Sequence, residues 1–181
     1  MHLNNADIDM LHGPLTKKLL LFTLPIALSS IIQQLFNAAD TAVVGFFDDS
    51  NALAAVGTNT EIIALIVTIS SGLSIGANIL IANLIGQNKK ENLPAAAQSA
   101  ILLSIIIGIT GMLLGQCIAR PLLRLIKTPK GIFSAAELYL RIYMLGYPFL
   151  LMYDFGAAIL RARGDSRYPF FALLFSGIAN V

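Results

Sequence analysis

Residues 19–47, LLLFTLPIALSSIIQQLFNAADTAVVGFF, set the strongest limit on what this chain can fold into. A helix rising about 1.5 Å per residue over that run crosses a hydrocarbon layer of about 30 Å. The run nevertheless carries Gln33, Gln34, Asn37 and Asp40 in its second half. On a helical wheel, Ser29, Ser30, Gln33, Asn37 and Asp40 fall within an arc of roughly 100°, with Ile31, Ile32, Leu35 and Phe36 largely elsewhere. A carboxylate inside a membrane helix costs at least ~2.5 kcal/mol on insertion scales, so it reads by default as a functional group with partners. The stripe is expected to face protein or water rather than lipid.

Further apolar segments follow, and they fix the class. Hydrophobic residues make up 56% of the chain, mean hydropathy is +0.76 and only 12% of residues are charged. Soluble domains carry roughly a quarter charged residues. The fold expected is all-α, a polytopic transmembrane helix bundle with a short cytoplasmic tail over residues 1–16. Helices are predicted at about 17–47, 57–85, 95–118, 134–160 and 168–181, four complete spans and a truncated fifth. Lys17 and Lys18 ahead of the first apolar run could mimic a secretory signal, but the later spans argue against that.

Composition also excludes several function classes. The net charge of +2 is small and the basic residues sit in short clusters between apolar runs, so no nucleic-acid partner is indicated. Cys117 is the single cysteine, which removes a disulfide framework and a thiolate metal site; it reads as a packing or lipid-facing residue. His2 and His12 are too isolated in the tail to suggest a metal site. No phosphate loop, nucleophile elbow or paired-carboxylate constellation appears, so the chain does not read as an enzyme.

Local signals organise the remainder. Gly72 and Gly76 are spaced G-x-x-x-G beside Ser71 and Ser74, which would admit a close helix neighbour, and Gly108, Gly111 and Gly115 form a second small-residue face. Pro94 suits a first helical turn. Residues 120–130 are expected to form a basic connection, after which Ser134 and Glu137 have capping-box spacing. Glu137 and Arg141 are placed for an i, i+4 ion pair, and Pro148 for a kink in the fourth span. Asp154 lies about two turns before Arg161, where it could be solvated, hydrogen-bonded or paired with that arginine. Asp154, Arg161 and Asp165 are candidates for gating or a secondary ion role.

With the N-terminus inside, Lys17, Lys18, Lys89, Lys90, Arg161, Arg163 and Arg167 collect on the inner side. Arg120, Arg124, Lys127 and Lys130 collect outside, against the positive-inside rule locally, but the first loops decide the orientation. Asp40 then lies about 12 Å below the outer surface, and Asn180, about 18 Å up the fifth helix, approaches the same level.

Three stretches together resemble one family. QQLFNAADTAVVG at residues 33–45 is similar to the first helix of the multidrug and toxic compound extrusion (MATE) family. LAAVG at residues 53–57 resembles the start of its second helix, and RARGDSRYP at residues 161–169 its Arg-x-x-Gly-Asp-x-x-x-Pro link between helices four and five. The resemblance covers nearly the whole chain from about Pro14. It implies a twelve-helix antiporter of two six-helix lobes, exporting small amphipathic, often cationic compounds in exchange for Na⁺ or H⁺. The present chain would be part of the N-terminal lobe, embedded in a bacterial or archaeal cytoplasmic membrane, with the C-terminal lobe as its missing partner. On that resemblance Asp40 matches the first-helix acid of the N-lobe cation site and Asn180 the fifth-helix asparagine beside it. The family's next acid would fall just past Val181, and Asp154 departs from the neutral residue common there.

The residue chemistry is compatible with that role. Asp40 flanked by Asn37, Gln33, Gln34 and Asn180 offers hard oxygen ligands to Na⁺, whereas exclusion of water would favour its protonated form and make it a proton carrier. No cofactor other than the coupling ion is implied. Neutralising the charge by either ion would bias outward against inward states. A lipid-linked oligosaccharide flippase of related architecture, a channel and a non-transporting membrane fragment are the alternatives. The isolated chain is expected not to transport.

Overall fold

Apolar periodicity carries the chain through six helices in the computed structural model, which describes residues 15–47 and 50–180. The side chains at positions 15, 17, 37, 40, 47, 50 and 180 lie outside the description, as do the histidines of the tail, Asp48, Asp49 and Val181. The helices are α1 (Leu15–Phe47), α2 (Ser50–Gly86), α3 (Leu93–Leu125), α4 (Phe133–Leu145), α5 (Tyr147–Ala162) and α6 (Arg167–Asn180), with a 3₁₀ turn at Lys90–Asn92. No strand occurs among the described residues. Each of α1, α2 and α3 is long and apolar enough to cross a membrane, and α4 with α5 forms a fourth span bent by 45°. The fold class expected from composition is therefore the one found.

Several boundaries differ from the sequence expectation, for reasons visible in the packing. Helix α2 starts at Ser50 rather than near residue 57, because Ala55 and Asn59, at 2% and 0% exposed, already belong to its core face. Helix α3 continues to Leu125 through Pro121, so residues 120–125 are helical and not a connection. Ala119 and Leu123, 1% and 0% exposed, continue the α3 core face across that proline. The fourth span breaks at Gly146, with Pro148 in the first turn of the second piece, so the proline restarts a helix at the kink. The capping box at Ser134 is not formed: α4 begins at Phe133 with Ile132 as its uncapped N-terminal neighbour. Glu137 instead accepts from Arg141 at 2.9 Å and lies 3.6 Å from Arg120. Pro94 does occupy the first turn of α3.

The core lies between α2, α3 and the α4–α5 span, where Ile62, Leu123, Leu140, Met144, Leu151 and Phe155 are buried. Helix α1 packs mainly on α6 and more lightly on α2. The two glycine faces behave differently. A Cβ on Gly108 would stand 2.7 Å from Pro148 Cα, and Cβ atoms on Gly111 and Gly115 would overlap Tyr147 and Met144. Only glycine lets α3 approach the broken span this closely. A methyl group at Gly72 or Gly76 would meet nothing within 4 Å, so the G-x-x-x-G pair mediates no contact among the described residues.

Polar side chains fasten the spans to one another. Asn59 donates to the Ala55 and Ala136 carbonyls at 2.9 and 3.0 Å, Asn78 to Ala158 O at 2.8 Å, and Gln116 to Arg141 O at 2.8 Å. Ser70 shares a 3.2 Å hydroxyl–hydroxyl hydrogen bond with Tyr147. Where no water competes, such bonds average about 0.6 kcal/mol and reach about 1.7 kcal/mol in membrane helices.

Candidate functional site

Within its polar stretch, α1 meets the last turn of α6 through Phe36. Phe36 on α1 packs directly on Gly177 of α6, and Ser29, 8% exposed, donates to Pro25 O at 2.8 Å within α1. As the first and fifth apolar segments of the bundle, α1 and α6 run in the same direction. Asp40 follows Phe36 by four residues and Asn180 follows Gly177 by three, so the two positions differ by only about 1.5 Å in helix rise. They also lie within about 60° of the contact line on their respective helices. The Phe36–Gly177 register therefore brings positions 40 and 180 to one level at the α1–α6 seam. The Asn37, Asp40 and Asn180 side chains lie outside the described set, while Gln33 and Gln34 are exposed.

The second group, Asp154, Arg161 and Asp165, sits at the other end of the bundle. Asp154 is about 12 Å of helix rise from the end of α5. Its Oδ2 and Arg161 Nε are both buried without a hydrogen-bond partner, so these two atoms are not bonded to each other. Asp165 is accounted for locally. Its Oδ1 accepts from the Arg167 and Tyr168 N–H groups at 2.9 and 3.2 Å, which caps the start of α6. One residue earlier, Gly164 has φ 88 and donates to Arg161 O, while Asp165 N–H donates to Leu160 O, both at 3.0 Å. This is the Schellman closure of α5, followed at once by the cap of α6. Pro169 completes the link by accepting from the Tyr153 hydroxyl at 3.1 Å. Each fixed residue of the Arg-x-x-Gly-Asp-x-x-x-Pro stretch thus has a backbone role here, Arg161 through its carbonyl alone.

Glu61 is an acid that the sequence patterns do not single out. It lies on the exposed side of α2, opposite the face of Asn59, Ile66 and Ser70, on a strip that includes Gly57, Thr68 and Gly72. The available signal is a carboxylate at a helix position with small or polar residues among its neighbours at three and four positions.

Similarity to known proteins agrees with this architecture. The sequence signature of the MatE family matches residues 25–181. The chain is 28% identical over 161 residues to "Probable multidrug resistance protein YoeA" of Bacillus subtilis, covering 89% of this chain and 35% of that protein. It is 30% identical over 177 residues to "Probable multidrug resistance protein YpnP" of the same organism, covering 96% and 39%. Among solved structures, an outward-facing multidrug resistance MATE transporter of the MOP superfamily aligns with a TM-score of 0.87 at 25% identity, over 97% of this chain and 39% of that one. The chain thus spans little more than a third of the length of the relatives it matches. With helices of membrane length and a family match over residues 25–181, this integral membrane chain belongs to the MatE family of multidrug and toxic compound extrusion transporters.

Proposed function

We propose that the chain forms most of the N-terminal lobe of a secondary active multidrug efflux antiporter, exporting small amphipathic, often cationic compounds in exchange for Na⁺ or H⁺. In this reading Asp40 is the coupling acid and Asn180, Asn37 and Gln33 supply neutral oxygens around it. The register that Phe36 and Gly177 impose on α1 and α6 carries the reading, because it levels positions 40 and 180 on adjoining helices. The relatives' naming as multidrug resistance proteins supports the substrate class. In this reading the lobe sits in a bacterial or archaeal cytoplasmic membrane with its N-terminus inside, and the second lobe completes the transport path.

Occupation of Asp40 by Na⁺ or a proton cancels the charge that makes closure of the α1–α6 seam costly, and so biases one of two lobe states. The test is Asp40→Asn in the full-length transporter that carries this lobe, assayed by gradient-driven efflux of a fluorescent organic cation from everted vesicles. Efflux should fall to background and its dependence on an imposed Na⁺ or H⁺ gradient should vanish. Efflux that keeps both its rate and its ion dependence would overturn the assignment.

A further inference from the structure

A groove of about 310 Å³ runs between α2 and α3 and is floored by Leu140 and Met144 of α4. Its lips, Leu65 and Ile69 on α2 and Leu114 and Ile118 on α3, are each more than half exposed. The walls are apolar, and Tyr147 directs its hydroxyl to Ser70, so water entering the groove would find almost no partner. Both α2 and α3 are long and apolar enough to cross a membrane, so lips this apolar and exposed suit a hydrocarbon neighbour.

Directly above the groove, α3 ends in an unusual turn. Lys127 has φ 57, donates to Arg124 O at 3.0 Å, and is followed by Thr128 donating to Leu123 O at 3.1 Å. That left-handed slot favours glycine, and nothing in the turn's own hydrogen bonding calls for a lysine. Leu122, which lines the groove, precedes Lys127 by about 8 Å of helix rise. Arg120, Arg124, Lys127 and Lys130 all lie in this short stretch, at the end of the bundle where positive charge is not needed to orient the chain. The nearby acid, Glu137, is engaged by Arg141 and Arg120. Arg124, Lys127 and Lys130 are exposed and make no ion pair among the described residues.

We propose that the groove and this turn together bind one anionic glycerophospholipid of the surrounding bilayer, with an acyl chain in the α2–α3 groove and the phosphate held by Lys127 and Lys130. The apolar walls select hydrocarbon, and the lysines beyond the groove's end select the negative head group. Arg124 adds to the positive field at that depth.

Native mass spectrometry of the purified chain, equilibrated with equal amounts of phosphatidylglycerol and phosphatidylcholine, tests this. One phosphatidylglycerol should be retained with at least a tenfold preference. Lys127→Asn with Lys130→Gln should reduce that preference to near one, since asparagine keeps the left-handed turn while removing the charge. Ile118→Trp, which fills the groove, should lower retention of both lipids. Lys89→Gln with Lys90→Gln, at the opposite end of the bundle, should leave the preference unchanged. Circular dichroism should report the same helix content for all variants, and Lys130→Gln alone gives a milder change to the same readout. Equal retention of the two lipids by the unaltered chain would overturn the proposal. So would a preference that survives loss of Lys127 and Lys130, or one lost equally with Lys89 and Lys90.

Discussion

Phe36 lies over Gly177 so closely that a methyl group at position 177 would overlap its ring. This contact sets the register between α1 and α6, and with it the level of positions 40 and 180. Gly177→Ala should therefore push the two helices apart, at a cost of about 1–3 kcal/mol as for other overpacked contacts. Phe36→Leu in the same background should recover part of the loss. Thermal unfolding of the four members of this double-mutant cycle, in one detergent, measures the coupling. Additive effects would show that the contact does not set the register.

The glycines of α3 and α2 make opposite predictions. Gly108→Ala places a methyl against the backbone of Pro148, which cannot yield as a flexible side chain would, so a loss of about 1–3 kcal/mol is expected. Gly72→Ala meets nothing within 4 Å and removes an intrinsically poor helix former. It should be neutral or stabilising in this chain by up to about 1 kcal/mol. Chemical denaturation followed by circular dichroism would rank the two, and an equal loss from both would contradict the packing described here.

The contrast between those glycines also shows what the sequence could and could not reveal. Spacing alone marks both faces as small, but only the fold decides which one meets a neighbour. The membrane class and the Glu137–Arg141 pair are legible because each depends on residues a few positions apart. The link at residues 161–169 can be matched to a family, yet its physical content, a left-handed Gly164 followed by the Asp165 cap, comes only with backbone geometry. The start of α2 escapes a linear reading for a different reason. Asn59 looks like a helix-boundary residue in sequence, whereas its amide reaches Ala136 O across 77 positions and is wholly buried. Likewise Pro121 suggests a helix end, but the tertiary contacts of Ala119 and Leu123 outweigh the local preference.

Asp165 should behave as a cap. Asp165→Ala removes the acceptor for the Arg167 and Tyr168 N–H groups, with an expected cost of about 0.5–2 kcal/mol, whereas Asp165→Asn or Asp165→Ser should retain most of the stability. Hydrogen exchange at the first turn of α6 is the direct measurement. Faster exchange in the alanine variant alone would fit a cap. Equal acceleration in all three would point to a role for the negative charge itself.

Asp154 carries the opposite expectation, a gain. One carboxylate oxygen is buried without a partner, and the Arg161 guanidinium two turns away keeps its Nε equally unpaired. Arg161 acts on Asp154 electrostatically, but a buried carboxylate oxygen without a hydrogen bond is still penalised more than a neutral amide would be, because it loses hydration without a matching bond. Asp154→Asn should consequently raise stability, by about 1–3 kcal/mol if the unpaired oxygen is the dominant cost. Arg161→Gln should do less, since an arginine can still carry its charged end toward the membrane surface. Thermal unfolding of both variants at neutral pH checks the order. A loss of stability in Asp154→Asn would mean that the carboxylate is satisfied in the membrane, by a bound cation or by a pairing that forms there, and a Na⁺ titration of the unaltered chain would separate those two causes.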